Sequence, residues 1–265
     1  MKESTGTNQA FILAVTSGKG GVGKTISSVN IAELLQNAGF KVALIDADAG
    51  LSNCATLLNE SVNATITKWI NGECYLEDLA HEFEAFTLVT AADNPDFNNH
   101  PTDHFLNALD QVTRHLSTSY DFIIIDTPAG AGEITLWALD RADLGAVILV
   151  DEPTAISDVY RLCKYVYSID PGYPFASIVN FAKCEETAHS IHKRFNHILG
   201  YFLHKKAAYF GFIPESDGLR QSVKQQQTLL QQNDSHTINP LVRICKNIIG
   251  YSESRNKLIE SNINY

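Results

Sequence analysis

The stretch from Ser17 to Thr25, SGKGGVGKT, holds four glycines and two lysines within nine residues. It contains the spacing G-x-x-x-x-G-K-[ST], whose glycines let backbone N–H groups surround phosphate oxygens. Lys24 would reach the β- and γ-phosphates of a bound nucleotide, and Thr25 would bind Mg²⁺. The residues predicted to contact the nucleotide, in this stretch and directly after it, are Gly18, Gly20, Gly21, Val22, Gly23, Lys24, Thr25 and Ile26. We therefore expect a phosphate-binding loop.

Two acidic segments follow other apolar runs. LIDADAGLSN, residues 44–53, places Asp46 and Asp48 at i and i+2, so both side chains point the same way if the segment is extended. FIIIDTPAG, residues 122–130, is a hydrophobic run that ends in Asp126, which would hold Mg²⁺ through water. The alternative for the first segment is an ordinary acidic loop between a strand and a helix.

Strands and helices must alternate to position these loops. Seven apolar runs are predicted strands, several of them apolar on both faces: residues 11–16, 41–46, 86–91, 121–126, 145–150, 175–180 and 208–213. Between them, apolar residues recur at helical spacing, as in Ile31, Leu34, Leu35 and Ala38, in Phe105, Leu109, Val112 and Leu116, and in Ile191, Phe195, Ile198, Leu199 and Phe202. The pattern predicts an α/β fold with a single doubly wound, mostly parallel sheet and helices on both faces.

Ligands of such sheets bind at the carboxyl ends of the strands, where the loops described above lie. We expect residues 1–10 to be a flexible N-terminus, residues 11–250 to form the nucleotide-binding domain and residues 251–265 to be a tail. No apolar run approaches the roughly 20 residues that a membrane span needs, and the polar start is unlike a signal peptide. Five scattered cysteines without a C-x-x-C pair favour reduced thiols in a cytoplasm.

Charge is distributed unevenly. Residues 1–182 carry 9 Lys or Arg and 23 Asp or Glu, whereas residues 183–265 carry 11 and 7. An overall net charge of −10 is unfavourable for general binding to nucleic acids, because phosphate attraction needs clustered basic residues. The basic last third could form a local patch, although an ordinary solvated surface is the simpler interpretation.

Lys19 adds a second lysine to the phosphate loop. The sequence KGGVGKT resembles the deviant Walker A loop of the MinD/ParA family, in which this lysine crosses a dimer interface and touches the partner's nucleotide. The resemblance implies ATP and ADP with Mg²⁺, a homodimer in the ATP state, and slow, dimer-dependent hydrolysis. It also implies catalytic roles for Lys19 and Lys24, a place near Mg²⁺ for Asp46, and orientation of the attacking water by Asp48. A solvated loop lysine is the alternative for Lys19.

The same resemblance extends to residues further along the chain. Gly130 would swing towards the γ-phosphate, Asn180 would contact the adenine, and Pro214 and Glu215 would lie beside the base. Without the resemblance, Asn180, Pro214 and Glu215 would be ordinary residues at the junction of a strand and a loop. Glu152 would face the dimer interface near the partner's ribose. Capping of the following helix by Glu152 and Asp158 is the alternative, and Asp158 is the better candidate for the N-terminal cap.

Within the family, DEPTAISDVYRLCKYV and IPESDGLRQSVKQQQ are similar to segments of the flagellar-number regulators called FlhG, FleN or YlxH. That similarity implies regulation of flagellar number or placement, with the flagellar GTPase FlhF or flagellar switch proteins as partners. The alternative is a ParA- or MinD-like ATPase that positions DNA, division machinery or another polar cargo. Strong nucleic-acid binding is not expected.

Two departures from this group stand out. The N-terminal NQAFILAV lacks the L-x-R that follows D-Q-A in these proteins, so we expect the activation of FlhF to be absent or altered. The tail offers only Leu258, Ile259 and Ile263 as apolar contacts, so we expect a cytoplasmic protein with weak or indirect membrane association, at the inner membrane or the cell pole.

Other families with this loop fit the sequence less well. Iron–sulfur carriers need cluster cysteines, which TPAGAGEIT lacks, and bacterial tyrosine kinases carry a C-terminal tyrosine cluster. His189, His192 and His197 lie on one predicted helix and could hold a metal ion, but a solvated polar face is the favoured interpretation.

Overall fold

The computed structural model describes residues 9–48, 53–83, 86–92, 102–232 and 235–263. The chain divides into two compact units. The first contains the chain up to Thr16 together with Lys24–Gly145, and the second contains Ser17–Gly23 together with the chain from Ala146 onwards. Most of the predicted flexible N-terminus, residues 1–8, lies outside the described residues.

Among its described residues, the first unit holds five strands: β1 (Phe11–Thr16), β2 (Val42–Asp46), β3 (His81–Phe83), β4 (Phe86–Thr90) and β5 (Phe122–Asp126). Strand β2 pairs in parallel with β4 and β5, and β1 pairs in parallel with β5. The short strand β3 pairs antiparallel with β4 and was not predicted. The register sets Asp46 opposite Asp126, so the last residues of β2 and β5 are neighbours.

The part of the first unit that the structure describes contains five α-helices: α1 (Lys24–Asn37), α2 (Asn53–Leu57), α3 (Ile66–Ile70), α4 (Thr102–Ser117) and α5 (Glu133–Arg141), with a 3₁₀ helix at Leu76–Leu79. Every residue of β2, β4 and β5 is buried, as expected for strands that are covered on both faces. The predicted stripe Phe105, Leu109, Val112 and Leu116 is buried along α4. Helix α1 ends before Gly39, whose φ of 96° lies in the left-handed region that follows many helices.

The described residues of the second unit form three strands and four helices: β6 (Leu144–Leu149, which begins two residues before the unit), α6 (Pro153–Ile169), β7 (Phe175–Ala182), α7 (Glu185–Leu203), β8 (Ala208–Pro214), α8 (Asp217–Gln225) and α9 (Ser235–Ile263). Strands β7 and β8 are parallel. On α7, Ile191, Phe195 and Leu199 are buried as predicted. Phe202 was wrongly included in that stripe, because its side chain is 62% exposed near the end of the helix.

The strands of the first unit are hydrogen-bonded in the order β3-β4-β2-β5-β1, and those of the second in the order β6-β7-β8. The predicted α/β fold with a mostly parallel sheet is therefore confirmed, and all seven predicted strands are present. Helix α9 continues through residue 250, so the division into a domain of residues 11–250 and a tail stays a prediction. None of the helices in the described ranges combines the length and apolarity that crossing a bilayer requires.

Candidate functional site

A buried cluster of polar groups forms in the first unit where β2 and β5 end. Thr25 Oγ1 donates a hydrogen bond to Asp126 Oδ2 at 2.6 Å, and Ser28 Oγ donates to Asp126 Oδ1 at 3.0 Å. Asp46 Oδ2 accepts from the backbone N–H of Cys54 at 2.9 Å, and Asp46 Oδ1 accepts from that of Asp48 at 3.3 Å. The predicted magnesium ligands Thr25, Asp46 and Asp126 are therefore brought together.

The charge of this cluster is poorly compensated. Burial is the largest effect that raises the pKa of Asp46, and the negative charge of Asp126 is the second largest. Burial also raises the pKa of Asp126, although the hydrogen bond from Thr25 and the charge of Lys24 act in the opposite direction. Lys24 is itself buried, with 8% of its surface exposed. A cation bound between these two carboxyl groups would stabilise their ionised forms, which burial and mutual repulsion disfavour.

The donor set of the cluster fits Mg²⁺, because carboxylate and hydroxyl oxygens are the ligands this ion prefers in proteins. Thr25, Asp46 and Asp126 would hold it, and the ion would neutralise negative charge on a bound triphosphate. Asp48 lies two residues beyond Asp46, and its Oδ2 accepts from Asn53 Nδ2 at 3.3 Å. Residues 49–52, which belong to the acidic segment of residues 44–53, lie outside the described residues.

In the second unit, the first lysine of the loop pairs with the residue before α6. Lys19 Nζ donates to Glu152 Oε2 at 2.7 Å, and about half of each side chain is exposed, 49% and 53%. The hydrogen bond and the charge of Glu152 raise the pKa of Lys19, and Asp158 adds a smaller effect. Lys19 and Glu152 were both predicted as site residues, and the structure places them in contact within one chain.

The prediction that Asp158 caps α6 is wrong. The helix begins at Pro153, so its N-terminal cap position is Glu152, and Asp158 lies within the second turn. The Glu152 side chain makes no capping hydrogen bond and instead accepts a hydrogen bond from Lys19. Proline at the first helical position needs no partner for a backbone N–H, which explains a helix start without a side-chain cap.

Two glycines of the loop are required for different reasons. A Cβ atom on Gly18 would lie 2.5 Å from Asp158 Cβ and 2.6 Å from the backbone nitrogen of Val159, so the loop packs directly against α6. Gly21 has a φ of 76°, which side chains rarely allow, and nothing lies within 4 Å of a Cβ added there. An added Cβ on Gly20 also meets nothing within 4 Å, so none of the residues that the structure describes requires glycine at that position.

The residues predicted to contact the base lie at the ends of β7 and β8. Asn180 Nδ2 donates to the carbonyl oxygen of Val22 at 2.8 Å, and Asn180 Oδ1 accepts from the N–H of Phe181 at 2.9 Å. The Asn180 side chain is therefore hydrogen-bonded to the backbone of the phosphate loop. Pro214 ends β8, and Glu215 bonds to Arg220 at 2.5 Å. Their roles towards a nucleotide stay predictions.

Sequence reasoning missed two members of the buried cluster. Ser28 lies four residues after Lys24, so helical spacing could have placed it on the same face of α1. Cys54 directly follows the D-x-D-x-G-L-x-N segment, which was the available signal. The three histidines of α7 form no metal site in the part of the chain that the structure describes: His192 instead contacts Ser177 and Asn196, at 2.7 and 3.0 Å.

Comparison with known proteins agrees with this arrangement. The family model described as an AAA domain matches residues 10–172. The chain is 31% identical over 232 residues to the antiactivator FleN of Pseudomonas aeruginosa, which covers 87% of this chain and 83% of FleN. It is 31% identical over 229 residues to the flagellum site-determining protein YlxH of Helicobacter pylori, covering 84% of this chain and 75% of YlxH.

Solved structures show the same fold. The MinC:MinD cell division protein complex of Aquifex aeolicus includes a chain that matches with a TM-score of 0.74 at 24% identity, over 91% of this chain and 96% of that one. MinD of Pyrococcus horikoshii, solved with Mg-ADP, matches with a TM-score of 0.71 at 22% identity, over 90% and 96%. The protein belongs to the MinD/ParA-type ATPases with an AAA domain, in the group that contains FleN and YlxH.

Proposed function

We propose that this protein is a Mg²⁺-dependent ATPase switch, which dimerises with ATP, hydrolyses it slowly and binds flagellar assembly proteins in the ATP state. The names of its relatives, an antiactivator and a flagellum site-determining protein, support a role in flagellar number or placement. The partners would be the flagellar GTPase FlhF or flagellar switch proteins, met in the cytoplasm or at the membrane periphery.

The observation that carries the proposal is the different environment of the two loop lysines. Lys24 is buried and acts on the charge of Asp126, as expected of a residue that holds the phosphates of its own subunit's nucleotide. Lys19 is half-exposed and is held by a surface ion pair with Glu152. Such a pair contributes little to stability, so it can exchange for a stronger partner. A triphosphate on a second subunit is such a partner.

In the dimer, Lys19 from each subunit would stabilise the negative charge that develops on the transferring phosphoryl group of its neighbour. Association and triphosphate occupancy would then be coupled, because neither subunit completes its site alone. We propose that Asp48 orients the attacking water and that Glu152, released from Lys19, lies near the partner's ribose. Asn180, Pro214 and Glu215 would line the adenine side.

Replacing Lys19 tests the proposal directly. We expect Lys19→Ala to abolish ATP-driven dimerisation and hydrolysis, while nucleotide binding by the monomer changes less than roughly threefold, since Lys24 remains. Sedimentation velocity with ATP measures dimerisation, and phosphate release measures turnover. Arg194→Ala is the matched control, because Arg194 forms a similar exposed ion pair with the neighbouring Asp151 at 2.5 Å.

Two results would contradict the proposal. One is a Lys19→Ala variant that still dimerises with ATP and hydrolyses it like the unchanged protein. The other is equal loss in Arg194→Ala, which would indicate a general effect of surface charge. A gel shift separates the flagellar role from DNA positioning: the net charge of −10 predicts no tight, ATP-dependent binding to random duplex DNA.

A further inference from the structure

A thiol lies inside the buried carboxylate cluster of the first unit. Oxygen atoms of Asp46 and Asp126 and the sulfur of Cys54 all lie within 4.8 Å of one another, and all three residues are buried. Cys54 Sγ is 4.0 Å from Asp126 Oδ2. The three side chains therefore converge on one point, with two hard oxygen donors and one soft sulfur donor.

The backbone fixes the direction of the thiol. Cys54 is the second residue of α2, and its N–H donates to Asp46 Oδ2 at 2.9 Å. That bond anchors the start of the helix to one carboxylate and turns Sγ towards the other. At 4.0 Å the contact of the thiol with Asp126 Oδ2 is long, and the thiol also interacts with the Asp46 side chain, so the fully buried sulfur lies between the two carboxyl groups.

The distances suit an ion that binds sulfur and oxygen together. Zinc lies about 2.3 Å from thiolate sulfur and about 2.0 to 2.2 Å from carboxylate oxygen, so one ion can bridge atoms that are 4.0 Å apart. Mg²⁺ is a hard ion that selects oxygen ligands and keeps water, whereas thiolates select softer ions. Thr25 Oγ1, which is 2.6 Å from Asp126 Oδ2, or a water molecule can supply a fourth ligand.

We propose that Asp46, Cys54 and Asp126 form a binding site for a thiophilic divalent cation, zinc, in the nucleotide-free protein. Zinc binds with release of the Cys54 thiol proton to water, and no oxidation or reduction takes place. The proposal rests on the cation site assigned above, since it uses the same two carboxylates. It adds that Mg²⁺ and zinc compete there, so zinc holds the protein out of its magnesium-dependent state.

Cobalt is the probe for the sulfur ligand. We expect Co²⁺ added to the reduced, nucleotide-free full-length protein to produce a thiolate-to-cobalt charge-transfer band with a stoichiometry of one, and zinc to remove that band. Cys54→Ser should lose the band and bind zinc at least roughly tenfold more weakly in competition with a chromophoric chelator. Cys74→Ser and Cys184→Ser are matched controls, because these two free cysteines are not buried and should keep the band.

The proposal is overturned if Co²⁺ binds without a thiolate band, if Cys54→Ser keeps the band, or if Cys74→Ser or Cys184→Ser removes it. Circular dichroism checks the fold of each variant, and Asp126→Asn must also weaken zinc binding. The titration contains no nucleotide, so an absence of ATP hydrolysis would sink the proposed function without affecting this result. Conversely, a protein that hydrolyses ATP with Mg²⁺ but gives no thiolate band overturns the zinc site alone.

Discussion

Asp126 and Lys19 are both charged residues of the candidate site, but they lie in opposite environments. Asp126 is buried in the first unit and accepts hydrogen bonds from Thr25 and Ser28. Lys19 lies at the surface of the second unit and has Glu152 as its ion-pair partner there. The first group is fixed by several elements of the fold, whereas the second depends on one exposed contact.

This difference separates a permanent part of the site from an exchangeable one. A buried charge that loses its partners is costly, so Asp126 and its hydroxyl donors must stay together throughout a reaction cycle. An exposed ion pair is screened by water and salt and can break at little cost. A loop with one lysine in each environment can hold a nucleotide with one of them and respond to a second subunit with the other.

The largest effect should follow a change to the buried lysine. We expect Lys24→Ala to weaken nucleotide binding by roughly 100-fold, since two charge-assisted hydrogen bonds to phosphate are worth about 3 kcal/mol. The neighbouring carboxylates also lose the positive charge that acts on Asp126. Titration with a fluorescent nucleotide measures the affinity, and circular dichroism confirms that the variant is folded.

Lys41→Ala serves as the control for this experiment, because Lys41 is an exposed lysine immediately before β2. Its replacement should leave nucleotide affinity unchanged. Comparable weakening in both variants would show that buried Lys24 has no special role, and the contrast between the two environments would fail.

Replacing Gly18 and Gly20 of the phosphate loop by alanine compares a tightly packed glycine with an open one. We expect Gly18→Ala to lower stability by about 2 kcal/mol, because its Cβ would collide with Asp158 Cβ and with the backbone of α6. Gly20→Ala should change stability by less than about 1 kcal/mol, since its Cβ meets nothing within 4 Å. Urea unfolding measures both free energies. Equal destabilisation by the two changes would refute the close approach of Gly18 to α6.

The sequence was sufficient for the parts of the molecule that depend on local pattern. Apolar runs predicted β1 and β5 within one residue, and the spacing of Gly23, Lys24 and Thr25 predicted a loop between a strand and a helix. Asp46 and Asp126 were each predicted near Mg²⁺, and the structure adds that β2 and β5 pair in parallel with these two residues opposite each other. These features depend on periodicity and on the general geometry of parallel sheets.

Other features depend on packing that pattern alone does not reveal. Phe202 continues the apolar spacing of α7, but the helix ends one residue later, so the side chain stays exposed. Asp158 was a reasonable cap by residue type, yet Pro153 starts the helix earlier. Cys54 entered the cluster through a backbone hydrogen bond to Asp46, which no local rule predicts. The sequence identified the charged groups of the site better than it identified their neutral partners.

The buried carboxylates should make the stability of the metal-free protein depend on pH. Burial raises the pKa of both Asp46 and Asp126, so the folded state keeps their protons at pH values where the unfolded chain has lost them. Stability is then greatest below about pH 4, the ordinary range of aspartate, and falls as the pH rises through the raised values. We expect a loss on the order of 2 kcal/mol between about pH 5 and 8.

Urea unfolding at several pH values, with a chelator present, measures this loss. Asp46→Asn should flatten the dependence, because it removes one of the two titrating groups, and saturating Mg²⁺ should reduce it in the unchanged protein. The prediction is contradicted if the metal-free protein becomes more stable between pH 5 and 8 and Asp46→Asn removes that gain. The two aspartates would then be stabilised in their ionised forms by the fold.

The smallest effect is expected from a change to the exposed ion pair between Lys19 and Glu152. Glu152→Gln removes the charge that holds Lys19 but keeps an oxygen acceptor, so the thermal midpoint should stay within about 1 °C. Because Lys19 no longer has to leave an ion pair before it reaches a second subunit, ATP-driven dimerisation should strengthen by roughly threefold. Sedimentation velocity with ATP over a range of protein concentrations measures the change, and Asp151→Asn, which removes the neighbouring carboxylate paired with Arg194, should leave it unaltered. Weaker dimerisation in Glu152→Gln would contradict this expectation. It would mean that the Glu152 carboxylate stabilises the dimer by more than its ion pair with Lys19 stabilises the monomer, so that the pair would not be the exchangeable part of the site.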